Sequence, residues 1–456
     1  MLVILLFLLA LVCILIAWRF PQFVFYCSIA TAPLIGWTVF LPTWSVPVLH
    51  RIFGDTLEVG VAELVALVLV VVLILWRVAP TPSSSPSERG RIKFLFPLLI
   101  PFLLLVLAHL FSAFSPAHPD VILVIKYSLR PVLWVYVTSI FLPTNFIRTR
   151  KQFLISLLVL VGVGVLFSID GLRSMAFGSD DQTVLPRAHP LPYFGTYPIG
   201  INHNVLGELL VVCAPFALVA GMLARSRSSR VWLHASAIFM TLIAFLTFAR
   251  SAWIALLCEV IFLCATVWRP WIRRHVAVVV FLLLAFLPLV GFMVLFTSQS
   301  GVASSTDTRA MLSSIALDQF RGSPIFGVGA GTFVQRVSSV WLFHFEFGGP
   351  LDSHGILQKL AAETGLLGLA AFVFLLVCLI KRITHHLPPP PTPPPAGGVP
   401  SRIAGVDRSV YFYLVAAVIG AFVYQLFNTT YWTPKLWLPV GILFAYHGIS
   451  QLKAKS

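Results

Sequence analysis

Apolar runs of about the length that crosses a bilayer, roughly 20 residues, alternate with short polar links along nearly the whole chain. They fall near residues 1–18, 22–40, 58–77, 93–114, 121–142, 152–169, 204–223, 231–248, 251–268, 276–297, 365–380, 410–428 and 436–451. The pattern predicts an all-α polytopic membrane protein of about 12–13 transmembrane helices, with a long extracytoplasmic loop that contains short helices. The first two runs are the least regular, because Pro33 and the short link "RFPQ" allow one of them to be re-entrant. Three regions follow: an N-terminal bundle of about ten spans over 1–297, a large outer loop with site-bearing helices over 298–364, and C-terminal spans over 365–456 that enclose a Pro-rich link at 383–408.

Composition sharpens this picture. The 456 residues are 59% hydrophobic and 10% charged, with mean hydropathy +0.95, more apolar surface than a water-soluble core uses. The opening "MLVILLFLLALVCILIAW" lacks the basic start and small-residue end of a cleaved leader and reads as the first span. A net charge of +15 invites a nucleic-acid reading, but the cations sit in alternate loops: Arg77/Arg89/Arg91/Lys93, Arg148/Arg150/Lys151, Arg225/Arg227/Arg230, Arg269/Arg273/Arg274, Lys381/Arg382/Arg402/Arg408 and Lys453/Lys455. Whole spans separate these clusters, so they mark the cytoplasmic side, the C-terminus included, rather than a nucleic-acid face. The six cysteines lie inside apolar runs without metal-ligand spacing and read as packing residues. "PTPSSSPSE" (80–88) and "LPPPPTPPPAGGVP" (387–400) are linkers.

The loops of the other face carry the polar chemistry. Lys126 and Arg130 stand four apart in "VILVIKYSLRPVLW" and share a helical face; they either line a cavity or snorkel to the interface. Arg250 in "LTFARSAWIAL" occupies a minimal turn between two spans. Its planar fork suits a phosphate, although a helix end among lipid headgroups would use it too. In "STDTRAMLSSIALDQFRGSPIFGVGAGTF", Ser305 or Thr306 can cap an interfacial helix that carries Arg309 and turns Leu312, Ile315 and Ala316 to one side. The glycines of "GVGAGTF" lack the Lys-Ser/Thr and the βαβ context of a nucleotide loop, so they read as a tight loop that seats the helix. His203 and Asn204 open a further span, as sugar contacts or as caps.

In "LDSHGILQKLAAETGLLG", with Asp352 or Ser353 as N-cap, His354 falls in the first turn of a helix, where the macrodipole favours neutral imidazole. A neutral imidazole accepts a proton; a histidine hydrogen-bonded to its own cap would fit the same spacing.

Taken together, "FARSAW", the arginine on the helix before "RGSPIFGVGAGTF", and "SHGILQKLAAETGLLGLAAF" resemble, in that order, the O-antigen ligase and O-antigen polymerase family of bacterial envelope glycosyltransferases. The resemblance is strongest over about 245–375. It implies metal-independent and cofactor-free transfer of a glycan from an undecaprenyl-diphosphate-linked donor to an acceptor hydroxyl on a glycan, lipid or protein, at the outer face of the bacterial inner membrane. By position, His354 would deprotonate the acceptor, and Arg250 and Arg309 would hold the diphosphate. Lys126 and Arg130 would add contacts to lipid phosphate. One departure is Gly355, where many members carry asparagine, so a contact through that asparagine does not carry over.

Two other readings compete. Asp180 and Asp181 would be the ligands of a metal-dependent transferase, but adjacent carboxylates point apart and no third ligand stands nearby. A transporter or flippase of lipid-linked oligosaccharide would place its charges near mid-membrane in repeated halves, whereas no repeat is present and the charges gather at one face.

Overall fold

The computed structural model describes residues 12–42, 56–78, 94–177, 186–278, 280, 284, 291, 301–343, 349, 351–387, 402–428 and 432–455. Asp180, Asp181, both low-complexity linkers apart from Leu387, most of the 276–297 run and the first eleven residues lie outside them.

The fold is all-α and multi-pass, as the apolar pattern predicts. Helices α1 (Val12–Arg19) and α2 (Pro21–Thr31) form a pair bent by 112°, with the break at Phe20 ahead of a proline in the first turn. The expected second span therefore stops early. A short antiparallel pair, β1 (Thr38–Pro42) and β2 (Thr56–Gly60), follows and leads into α3 (Val61–Val78) and α4 (Leu99–Phe111). The span expected over 121–142 is not one regular helix. α5 (Val121–Tyr127), capped by Asp120, gives way to π turns at 128–133 and 137–141 before α6 (Leu142–Phe146). Pro131 lies in the first of these turns, where its missing N–H interrupts the α ladder.

Next come α7 (Arg150–Phe177), α8 (His203–Leu223), α9 (Arg227–Leu246), α10 (Arg250–Thr266) and the short α11 (Arg269–Arg274). Beyond them are α12 (Gly301–Gly322), α13 (Phe333–Ser338), α14 (Ile356–His385), α15 (Arg402–Leu426) and α16 (Pro434–Lys455). Among the described residues, α7, α8, α9, α14 and residues 407–426 of α15 are each long and apolar enough to cross a membrane, and the bent α1–α2 pair can make a sixth crossing. Buried share sorts them: 83% of the apolar window of α8 and 72% of that of α15 are enclosed, against 22% for α9 and α14. Thus α8 and α15 form the centre, and α9 and α14 present apolar surface outward.

Small residues make the centre possible. A side chain at Gly207 of α8 would meet Ala252 at 3.1 Å and the Thr247 hydroxyl at 3.2 Å, so the α9–α10 hairpin lies flush against α8. The hairpin itself is minimal: Thr247 Oγ1 donates to Ala244 O at 2.7 Å and accepts from Ala249 N at 3.3 Å, and Phe248 takes a left-handed conformation (φ 54°). Arg250 thereby becomes the first residue of α10.

Candidate active site

The site assembles at the end of the bundle away from the basic loops, where α8, α10, α14 and α16 begin and α15 ends. Each of these helices contributes a polar residue in its terminal turns, where backbone groups lack intrahelical partners and a polar side chain costs least.

Helix α12 brings in Arg309. The expected apolar side is present: Leu312, Ile315 and Ala316 pack with Phe333, Val337, Phe343 and Ala362 in a small second core. Because α12 already runs from Gly301, neither Ser305 nor Thr306 is its cap, contrary to expectation. Arg309 is half-buried, and its Nε is covered without a hydrogen-bond partner. Burial and, after it, the nearby Arg250 guanidinium push the Arg309 pKa down, with Tyr424 acting in the other direction. Among the described residues no carboxylate pairs with either arginine. Two guanidinia close enough to feel each other and without a counter-anion describe a place for an anion.

His354 stands beside them. Burial, then the charge of Arg309, lowers its pKa, and Asp352 raises it. The imidazole is therefore neutral near pH 7, and its Nδ1 is covered and unpaired. The reason differs from the macrodipole argument of the sequence. The cap of α14 is Gly355, without a side-chain hydrogen bond, so His354 precedes the helix, and neither Asp352 nor Ser353 caps it. Asp352 instead receives Ser353 N at 2.9 Å and the buried Lys359 ammonium. Lys359 also lies 4.4 Å above the Trp432 ring and 4.0 Å from Glu363, and Glu363 Oε1 accepts from Phe333 N at 3.2 Å. This chain of charges ties the His354 segment to α13 and to the approach of α16. At Gly355 the space for a side chain is already taken, since a Cβ would stand 1.9 Å from Gln358 Oε1. The Gln358 amide donates to Ser313 Oγ on α12 at 3.1 Å.

The glycine loop fixes α12 and α14 relative to one another. α14 is broken at Gly365 (φ 62°) into a short piece before it and the long span after it, and the loop docks in the break. Val328 N donates to Ala362 O at 2.8 Å, Gly329 N to Glu363 O at 3.0 Å and Leu366 N to Pro324 O at 2.8 Å. The carbonyls and amide freed by the break thus regain partners. Side chains would destroy this fit: a Cβ at Gly327 would meet Glu363 C at 2.3 Å, and one at Gly365 would meet Ile325 O at 2.5 Å. The loop seats the helix, as its composition suggests.

The remaining expected residues are placed as follows. Asn202, not His203 or Asn204, caps α8, accepting from Asn204 N at 2.9 Å. The Asn204 carbonyl accepts from the Tyr424 hydroxyl at 2.5 Å, and Tyr424 also reaches Ser251 and the charge of Arg309. His203 is the first residue of α8. Lys126 is half-buried in α5, next to Tyr127, whose ring packs against Trp432. The Arg130 side chain lies outside the described residues. Sequence reasoning missed the buried set beneath the arginines: Glu208 pairs with Lys435 at 2.6 Å and accepts from the Gln425 amide. A glutamate and a lysine inside apolar runs were the available signal, but their separation of more than 200 residues hides the pairing. Among the described residues, no group of three or more His, Cys, Asp and Glu side chains is arranged to hold a metal ion.

Fold and site together define a multi-pass helical membrane protein with a cationic, histidine-bearing site at one end of its bundle. Residues 235–373 match the model of the O-antigen ligase family. The stretch contains Arg250, Arg309 and His354, so this part of the chain is similar to the O-antigen ligase family and supports a role in glycan transfer in general. No curated protein matches the chain.

Proposed function

We propose that the protein transfers or polymerises an undecaprenyl-diphosphate-linked glycan onto an acceptor hydroxyl at the outer face of the bacterial inner membrane, with its C-terminus in the cytoplasm. The observation that carries this reading is the grouping of a neutral, half-buried imidazole with two guanidinia with which no carboxylate among the described residues pairs. The acceptor oxygen gives its proton to His354 and bonds to the anomeric carbon. The bond from that carbon to the diphosphate breaks, and its electron pair leaves with the diphosphate. Arg250 and Arg309 stabilise the charge that develops there, preorganised where water is partly excluded. On this reading the arginines neutralise the leaving group. The Tyr424 hydroxyl ties α15 to α8 at the Asn204 carbonyl and also reaches Ser251, next to Arg250, and Lys126 and Arg130 add contacts to the lipid phosphate.

The deciding experiment is turnover of purified lipid-linked glycan by the protein in detergent, where transport across a membrane has no meaning. The wild type is expected to transfer glycan with or without chelator. A folded His354→Ala variant is expected to lose on the order of 10²–10⁴-fold in rate, the usual contribution of a general base. An unimpaired His354→Ala variant would remove the base, and no turnover by the wild type would remove the whole reading.

A further inference from the structure

Helix α12 borders a concavity whose lining does not include Arg309. Ile315, Asp318, Gln319 and Gly322 follow each other at i, i+3, i+4 and i+7, one stripe of the helix. They face a cleft of about 510 Å³ closed on its other side by Arg336 and Ser339. Arg309 belongs to a different stripe, the one that continues through Ser313 to the Gln358 contact with α14. The cleft residues lie six to thirteen positions beyond Arg309, about 9–20 Å along the axis at 1.5 Å per residue.

The walls carry unused hydrogen-bonding capacity of both kinds. Gln319 Oε1, an acceptor, and Arg336 Nε, a donor, are covered and have no partner. The Arg336 guanidinium is anchored at one corner, where Nη2 donates to Ala117 O at 3.0 Å. Both side chains line the cleft, so a change of rotamer brings either orphaned group to a ligand there. Asp318, largely exposed and 3.5 Å from Arg321, adds an acidic group to the lining. A phosphate would match the arginine and be repelled by the aspartate. A sugar hydroxyl donates and accepts at once, and the apolar part of the cleft at Ile315 suits the C–H faces of a sugar ring.

We propose that this cleft is an oligosaccharide subsite, which holds sugar residues remote from the reacting end while α12 presents Arg309 to the diphosphate. The assignment rests on the glycan-transfer reading above. Gly322 supplies a plug for the test: a Cβ there meets nothing within 4 Å, so Gly322→Trp fills the cleft without a backbone clash. The probe is the oligosaccharide released by mild acid from the lipid-linked glycan of the producing cell, titrated into the purified protein and followed by saturation-transfer NMR. The wild type is expected to bind it, and Gly322→Trp and Arg336→Gln are each expected to weaken binding about ten-fold, the scale of one lost specific contact.

In turnover, both variants are expected to keep the wild-type rate on a donor bearing one sugar. KM should rise by a similar factor for the full-length donor if its glycan occupies the cleft, or for the acceptor if that glycan does. Equal binding by the wild type and a folded Gly322→Trp variant, or no binding by the wild type, overturns the subsite. Failure of the wild type to use even the one-sugar donor is a separate result that strikes the glycan-transfer reading instead.

Discussion

The charge of Arg309 acts on His354, and that influence bears on how the protein responds to pH. Burial and the guanidinium together hold the imidazole pKa below its usual value, so the imidazole is already deprotonated at neutrality. The rate is expected to be flat through pH 7 and to fall only on acidification below about 6.5, the ordinary imidazole value. Stability has the same sign: the unfolded chain binds the proton more readily than the folded one, so acid favours unfolding. A rate that fell on the alkaline side instead would remove His354 as the base. At the arginines geometry matters beyond charge. Arg309→Lys and Arg250→Lys keep the cation and lose the planar fork. Each is expected to cost roughly 10- to 100-fold in turnover, the equivalent of one charge-assisted hydrogen bond of about 1.5–3 kcal/mol. Near-wild-type rates from both lysine variants would reduce the pair to a general electrostatic field.

Between helices, the break at Gly365 does the positioning. Its positive φ and the 2.5 Å approach of Ile325 O leave no room for a side chain. Gly365→Ala is expected to destabilise the protein by about 1–3 kcal/mol, the cost of a strained backbone residue, and to lower turnover as the glycine loop moves off α14. Gly162 in α7 is the control, because a Cβ there meets nothing within 4 Å. Gly162→Ala is expected to be neutral or to stabilise by about 0.5–1 kcal/mol, as in any helix interior. Thermal unfolding in detergent distinguishes the two, and equal effects would mean that the break is not under constraint.

Local signals made much of this scale legible. Hydrophobic periodicity located the side of α12 that holds Leu312, Ile315 and Ala316, and "GVGAGTF" announced a tight loop. Capping was less legible, because Asn202, Asp352 and Ser353 all have cap chemistry, and only tertiary contacts decide which is used: Asp352 is drawn off by Lys359. The π turns around Pro131 were hidden for a similar reason, since an unbroken apolar run looks the same whether its backbone is α or π.

At the scale of the whole molecule, alternating hydropathy and basic loops announce an all-α membrane protein, and the helices that begin and end at the site agree with one direction of threading. Reporter fusions after residue 228, in the first turn of α9, and near residue 335, in α13, are expected to report opposite sides, with 228 cytoplasmic. The same side for both would detach α12 and α13 from the outer face. What no local signal could disclose is the closure between distant parts, above all the contact of Glu208 with Lys435 and Gln425.

That closure has a consequence for biogenesis. The ribosome delivers Glu208 to the membrane long before it delivers Lys435, so α8 carries a carboxylate whose partner does not yet exist while the chain between them is made. An ionisable group without its partner is costly within a bilayer, and it keeps α8 from settling among its neighbours until α15 and α16 arrive. Arg250 and Arg309 are also made before Lys435, and the buried Glu208–Lys435 pair closes only when α16 arrives. A chain truncated before its final two helices therefore leaves Glu208 without Lys435 and Gln425 and is expected to be less stable in the membrane than the full-length protein.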